Sequence, residues 1–336
     1  MSLRVGWFNG VTVVTNTGLL SFDPHNRSGN RSSAFISHAH SDHLGGPAKG
    51  KKSHLTHETL DVVRAIRTWD DEDVLPIRLG EVVEFDGIEV IAHNAGHMLG
   101  SAQFEVRAPD STLVYTGDIN CRDMFTTRAA ESVPCDILIM ETTYGVPFYA
   151  FPDLTQTSVE IVGWALEQIR AGRIPVFKAY SGGKAQEILK MFNALTNIPV
   201  VAEGATARIT DAYVNNGAGL KYVDSSTVEA QELLNSGECV GLTSSNNGLA
   251  RLSNSCIAVT TGWALGRRFD GVDAAFPLSG HADFRQLVEY VERAKPKEVL
   301  TVHGFKEEFA SYLKRKLGVR ARPIHPMDQR LLREYL

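Results

Sequence analysis

His38-Ala39-His40-Ser41-Asp42-His43 places four side chains of metal-ligand type in six positions, directly after the apolar run Ala34-Phe35-Ile36-Ser37 and shortly before Gly45-Gly46. With 11 histidines in the chain, a chance His-x-His-x-Asp-His has a probability of roughly 6 in 10,000, so the cluster demands a chemical reason. Alternate side chains of an extended segment point the same way, which lets His38 and His40 meet one cation. Asp42 and His43, one turn later, can face a second. Imidazole and carboxylate suit Zn(II), and also Mn(II) or Fe(II); the lack of nearby cysteine argues against an iron–sulfur cluster.

The rest of the composition sets limits. The chain has 336 residues, 43% hydrophobic and 22% charged, which is a soluble globular composition with room for two domains or one large one with an insertion. Its 34 Lys+Arg against 39 Asp+Glu leave a net charge of -5, so no global basic field draws in nucleic acid. No apolar run approaches the ~18 residues of a membrane span. The start, Met1 to Gly10, lacks the apolar core of a signal peptide. Cys121, Cys135, Cys239 and Cys256 form no Cys-x-x-Cys pair, which fits unpaired thiols in a reducing compartment. The expected location is the cytoplasm, with no membrane partner.

Working outward from the cluster, the N-terminal third reads as short strands separated by turns at Asn16-Thr17-Gly18 and Asp86-Gly87, a pattern of antiparallel pairing. Two buried strands end in carboxylates, Asp118 in Tyr115-Thr116-Gly117-Asp118 and Glu141 after Asp136 to Met140. From about Phe148 the pattern changes to alternating helix and strand, which predicts a parallel sheet. A helix over 284–294, a strand ending in Val302-His303-Gly304 and a last helix complete the chain. His97, in Gly96-His97-Met98-Leu99-Gly100-Ser101, also lies at a strand end.

Taken in order, HAHSDH, GHMLGS, YTGD, ETTYG, PLSGHAD and TVHG resemble the motif series of metallo-β-lactamase-fold nucleases with a β-CASP insertion, from Asp23 to beyond His303. The resemblance implies an α/β fold, a metallo-β-lactamase αββα sandwich with an inserted β-CASP-like α/β domain. It divides the chain into residues 1–147 and 276–336 for the sandwich and 148–275 for the insertion. It implies two Zn(II) ions, one on His38, His40 and His97, the other on Asp42, His43 and His303, with Asp118 bridging. Asp23 matches the acidic residue that supports the ligand loop, and it reads equally as a turn residue before Pro24. His281 matches the family's general acid, and Glu141 the carboxylate that pairs with it.

Two metal ions can hold a hydroxide at neutral pH and orient in-line attack on phosphorus, while His281 would protonate the leaving oxygen. Ser181-Gly182-Gly183-Lys184 is a Gly turn opening a helix, a geometry that offers backbone N–H groups to a phosphate. It resembles the family's Gly-Arg-x-Gln-Glu segment with Lys184 in place of arginine, which keeps the charge and loses the bidentate fork. Trp263 reads either as an aromatic surface for a base or as a packing residue. His303 matches the RNA-processing members, whereas FDP, AYSGGKAQ and TGW resemble the compact exonucleases found with DNA ligases.

The expectation is therefore a nuclease for single-stranded DNA or RNA, leaning to DNA end processing, with repair or RNA-processing proteins as partners. The alternatives are a cleavage-and-polyadenylation type RNA 3′-end nuclease, a small-molecule metallohydrolase and a non-catalytic subunit. The residues name no oligomeric state.

Overall fold

The computed structural model describes residues 3–15, 18–25, 33–45, 52–69, 71–85 and 87–328. Gly46 and the turn residues Asn16, Thr17 and Asp86 lie outside the described residues. The first sheet holds, in order, β1 (Arg4–Trp7), β2 (Val11–Val14), β3 (Leu19–Phe22), β4 (Ser33–Phe35), β5 (Ser53–Thr56) and β6 (Val74–Ile77), with α1 (His57–Ile66) between the last two. The expected antiparallel pairing holds for β1, β2 and β3, whereas β3 to β6 run parallel. A parallel connection needs a longer crossover, and α1 supplies one.

The second sheet begins with β7 (Val82–Phe85), β8 (Ile88–Asn94), β9 (Ala102–Ala108), β10 (Ser111–Tyr115) and β11 (Ile137–Glu141). The chain then leaves through α2 (Leu154–Arg170) and alternates as expected: β12 (Ile174–Lys178), α3 (Lys184–Leu195), β13 (Val200–Ala202), α4 (Gly204–Asn215), β14 (Val223–Asp224), α5 (Val228–Ser236), β15 (Val240–Thr243), β16 (Ser255–Thr260) and β17 (Ala274–Phe276). These strands form a third sheet in the order β14-β13-β15-β12-β16-β17, parallel throughout its described pairings. After α6 (Phe284–Ala294), β18 (Glu298–Val302) returns beside β11, and α7 (Lys306–Leu317) leads to β19 (Arg320–Pro323) at the sheet's far edge.

The first two sheets face each other across an aromatic core, with Phe22 5.4 Å from both Phe35 and Tyr115, and Phe35 5.3 Å from Phe104. Leu55, Val62 and Val63 pack α1 on the outside of one sheet; Leu287, Val291, Phe309 and Leu313 pack α6 and α7 on the other. This is the αββα sandwich. Its α6 starts where the sequence says it should, because Asp283 accepts from the Gln286 N–H and Gln286 reaches back to the Asp283 N–H. Arg208 Nε donates to the Ala65 carbonyl at 3.1 Å, and Asn216 to Asp61 at 3.0 Å, so α4 of the third sheet's layer is fastened to α1.

His54 is buried on β5, stacked on Phe35 at 4.9 Å and edge-on to Phe85 at 5.3 Å, with neither ring nitrogen hydrogen-bonded. Burial pulls its pKa down to about 4. Between that value and its ordinary one the unfolded chain binds the proton and the folded chain does not. Stability is therefore fully present above about pH 6.5 and falls by about 2 kcal/mol by pH 5 through this residue. His54→Leu is expected to flatten that stretch of the denaturant-midpoint profile; an unaltered slope would assign the acid sensitivity elsewhere. No helix among the described residues is long and apolar enough to cross a membrane, and the four cysteines are free thiols.

Candidate metal centre and active site

Loops leaving β4, β8, β10, β11 and β18 meet at one end of the sandwich. His38 and His40 follow β4, Ser41–His43 form one 3-10 turn, His97 follows β8, and Asp118 follows β10. Glu141 is the last residue of β11 itself. Gly117 has a φ of +53, and a Cβ there would stand 2.5 Å from Ser37 Cβ, so only glycine lets the Asp118 loop lie on the His38 loop. Asp23 and His303 are non-glycine residues at φ of +45 and +57, a conformation whose cost concentrates at functional sites.

The hydrogen bonds fix which imidazole nitrogen carries a proton. Carbonyls only accept, so His97 Nδ1–H donates to Gly280 O at 2.8 Å and His40 Nε2–H donates to Gly182 O at 3.3 Å. Ser37 Oγ spends its hydrogen on Asp23 Oδ2 at 2.5 Å, so it accepts from His38 Nδ1–H at 2.9 Å. The bare nitrogens that remain face one another: His38 Nε2 is 3.0 Å and His97 Nε2 3.3 Å from His40 Nδ1. Asp118 Oδ2 completes the group at 3.5 Å from His38 Nε2 and 3.8 Å from His97 Nε2. Three lone pairs and a carboxylate converge with no proton among them, and a divalent cation fits that donor set. Burial holds all three imidazoles below their usual pKa, which keeps them neutral and able to bind metal.

The second set is more open. His43 Nε2 lies 3.6 Å from Asp42 Oδ2 and 3.7 Å from Asp118 Oδ2, with the Asp42 side chain 69% exposed. The His303 ring is 6.0 Å from that of His43 and lines the same cavity. His43 is pushed up to about 10: burial opposes its cation, but Asp118 and Asp23 outweigh that. The carboxylates here demand positive charge, which a proton or a metal ion satisfies.

Asp23 is both a turn residue and a support. Its carboxylate accepts from Ser37 N at 2.6 Å, from Ser37 Oγ, from His43 Nδ1 at 2.7 Å and from the Tyr115 hydroxyl at 2.8 Å. It thus orients His43 directly and His38 through Ser37. Ser37→Ala is expected to weaken metal binding about 10- to 100-fold, the usual cost of losing an outer partner of a ligand. Chelator competition measures this; unchanged affinity would mean that His38 needs no such anchor.

His281 stands on the opposite wall. Its Nδ1 donates to Glu141 Oε1 at 2.8 Å, and its Nε2 lies 3.9 Å from Asp118 Oδ2. Glu141, fully buried, also accepts from Thr143 N at 3.0 Å and Ile119 N at 3.2 Å. Burial disfavours its charge, but His281 and these donors win and lower its pKa. For His281 burial again opposes the cation, and Glu141 and Asp118 overcome it, raising the pKa.

Residues 274–323 match the family described as RMMBL, Zn-dependent metallo-hydrolase RNA specificity domain. A probable DNA ligase of Opitutus terrae is 33% identical over 300 residues, 84% of this chain and 28% of the ligase. An RNase J-like protein of Methanocaldococcus jannaschii is 25% identical over 351 residues, covering 83% of this chain and 82% of its own length. The chain belongs to the β-CASP family of metallo-β-lactamase-fold nucleases. A solved structure of a protein of unknown function from Enterococcus faecalis V583 shares the fold, with a TM-score of 0.69 at 15% identity over 96% of this chain and 97% of that one.

In this β-CASP protein the Ser181 to Lys184 turn does more than the sequence suggested. Its Gly182 carbonyl is the acceptor that orients His40, and the same carbonyl accepts from the Lys184 N–H at 3.2 Å. The Lys184 N–H is thus used within the turn, and burial lowers its ammonium's pKa to about 8. Gln186 Nε2 donates to Ser181 O at 3.0 Å, and Glu187 accepts from Phe125 N at 2.9 Å and Thr126 N at 2.8 Å, tying α3 to the loop after Asp118. The sequence offered no signal for Tyr115, Gly280 or the Gly182 carbonyl as supports of the candidate metal ligands.

Proposed function

We propose that the protein is a two-metal nuclease hydrolysing phosphodiester bonds of single-stranded nucleic acid, and that its substrate is a DNA end. The convergence of bare imidazole nitrogens on Asp118, with His281 3.9 Å from that carboxylate on the far side, carries the reading. Residues 1–147 and 276–336 form the catalytic sandwich in this account, and 148–275 the β-CASP insertion. His38, His40 and His97 would hold one ion and Asp42, His43 and His303 the other, and Asp118 would serve both. Zn(II) is the favoured metal, since the matching family is described as Zn-dependent; Mn(II) and Fe(II) suit the same donors. Divalent ions bound there would supply Lewis acidity, neutralising phosphoryl oxygens and lowering the pKa of a water at the site.

The chain's own groups do the rest. Glu141 fixes the His281 tautomer and favours its cation, so His281 keeps a proton on Nε2 for the departing sugar oxygen. Lys184, beside the Ser181-Gly182-Gly183 turn, neutralises a non-scissile phosphate. A cavity of about 430 Å³ is lined by both groups and by every side chain assigned to metal except His38, and it is large enough for a nucleotide or two of a single strand.

The DNA reading rests on the 33% identity to the ligase along 84% of this chain. It makes a ligase or another repair protein the natural partner, and the cytoplasm the place of action. RNA processing is the second reading, favoured by the RNA specificity family matched over 274–323. Incubating the metal-loaded protein with 5′- and 3′-labelled single-stranded DNA and RNA tests both. Shortening of DNA from one end supports the first and internal or terminal cuts in RNA the second; hydrolysis of a thioester without either would defeat the nuclease reading.

A further inference from the structure

We infer that Tyr180 is the platform on which a nucleobase of the bound strand stacks, a role that rests on the nuclease reading above. The sequence left Trp263 open between such a contact and packing; Trp263 also lines the cavity, but it is half-buried among other rings. Its ring is 4.8 Å from Tyr144, 5.2 Å from Tyr149 and 6.1 Å from Phe305, and the Arg267 guanidinium lies over it at 4.5 Å. Trp263 packs an aromatic cluster. Tyr180 is the opposite case, 71% exposed, and among the described residues it is the one large exposed hydrophobic side chain that lines the active-site cavity.

Its position is set by the metal centre. The ring lies 5.9 Å from that of His40, so a base resting on it belongs to a nucleotide flanking the bond that is cut. The backbone beneath is already fixed: Tyr180 O accepts from Ala185 N at 3.3 Å, Ser181 O from Gln186 Nε2, and Gly182 O from His40 and Lys184. A base therefore gains an aromatic face without ordering a loop. Lys184 Nζ stands 5.5 Å over the same ring, which places a cation for the phosphate beside a surface for the base. Every base has a π-face, so the contact tolerates any sequence while demanding that a base be present.

The test uses the metal-loaded protein and single-stranded oligonucleotides with one abasic position stepped through the sites flanking the cut. For the wild type, the abasic position that faces Tyr180 should raise KM roughly tenfold to a hundredfold. Tyr180→Ala should raise KM for the intact strand by a similar factor, the loss falling on KM rather than kcat, and removal of the base should then add nothing. Tyr180→Phe should restore the wild-type KM, and metal content should match in all three proteins. The inference is overturned if Tyr180→Ala leaves KM unchanged, if its penalty multiplies in full with the abasic penalty at every position, or if Tyr180→Phe is as poor as Tyr180→Ala. A wild type that cleaves no strand at all overturns the nuclease reading itself, an outcome visible before any variant is made.

Discussion

His281→Ala is expected to slow turnover by about 10²- to 10⁴-fold while leaving metal content intact, because it deletes a proton donor and no ligand. The geometry makes the outcome informative. His281, Glu141 and Asp118 are close enough to hold an ion themselves, so a donor and a ligand are both conceivable for this imidazole. The Glu141 contact is compatible with both, so the measurement decides. A carboxylate 2.8 Å from Nδ1 favours the imidazolium of an acid, and it would equally orient the Nε2 of a ligand, as Asp23 does for His43. Elemental analysis beside single-turnover kinetics separates the two, and a variant that loses metal along with activity would make His281 part of the metal site.

Asp118→Asn should have the widest effect, since Asp118 Oδ2 lies between 3.5 and 3.9 Å from the Nε2 atoms of His38, His43, His97 and His281. Removing its charge weakens both candidate metal sets at once. Metal affinity is expected to fall by more than about 100-fold, beyond the cost of losing a merely supporting residue. The rise in Tm that metal confers on the wild type should shrink accordingly, since stabilisation by a bound ion follows its affinity. If metal stoichiometry and the Tm rise both survive, Asp118 is not shared between the sites.

The net charge of -5 no longer argues against a nucleic-acid substrate. Two divalent ions, if bound as proposed, would bring the formal charge near -1 and place the added charge where a phosphate must sit. With Lys184 in the cavity and Arg267 and Arg268 beyond it, the expected binding is focused, metal-dependent and weak elsewhere on the surface.

How much was legible depended on the distance over which each property is decided. Asp283 and Gln286 are three residues apart, so the start of α6 could be read from the chain and is found at Phe284. Strand direction could not: Leu19–Phe22 and Ser33–Phe35 have the same apolar pattern whichever way they pair, and the structure makes them parallel. Trp263 was open between base stacking and packing because an aromatic residue looks alike in both settings until its neighbours are known. Tyr180 lies in a segment whose glycines and Lys184 carry the sequence signal, and its exposure is legible only in the fold.

The sequence by itself determined the kind of chemistry, because His38, His40, Asp42 and His43 stand within six residues and ligand identity is a property of side chains. Only the tertiary structure decided which nitrogen of each imidazole is bare. That choice is made by groups distant along the chain: Gly182 accepts from His40, Gly280 accepts from His97, and Asp23 takes the hydrogen of Ser37 so that this neighbour of His38 accepts from its Nδ1. A tautomer is fixed by the partner of the other ring nitrogen, and such partners meet only when the sheets and the inserted layer have packed.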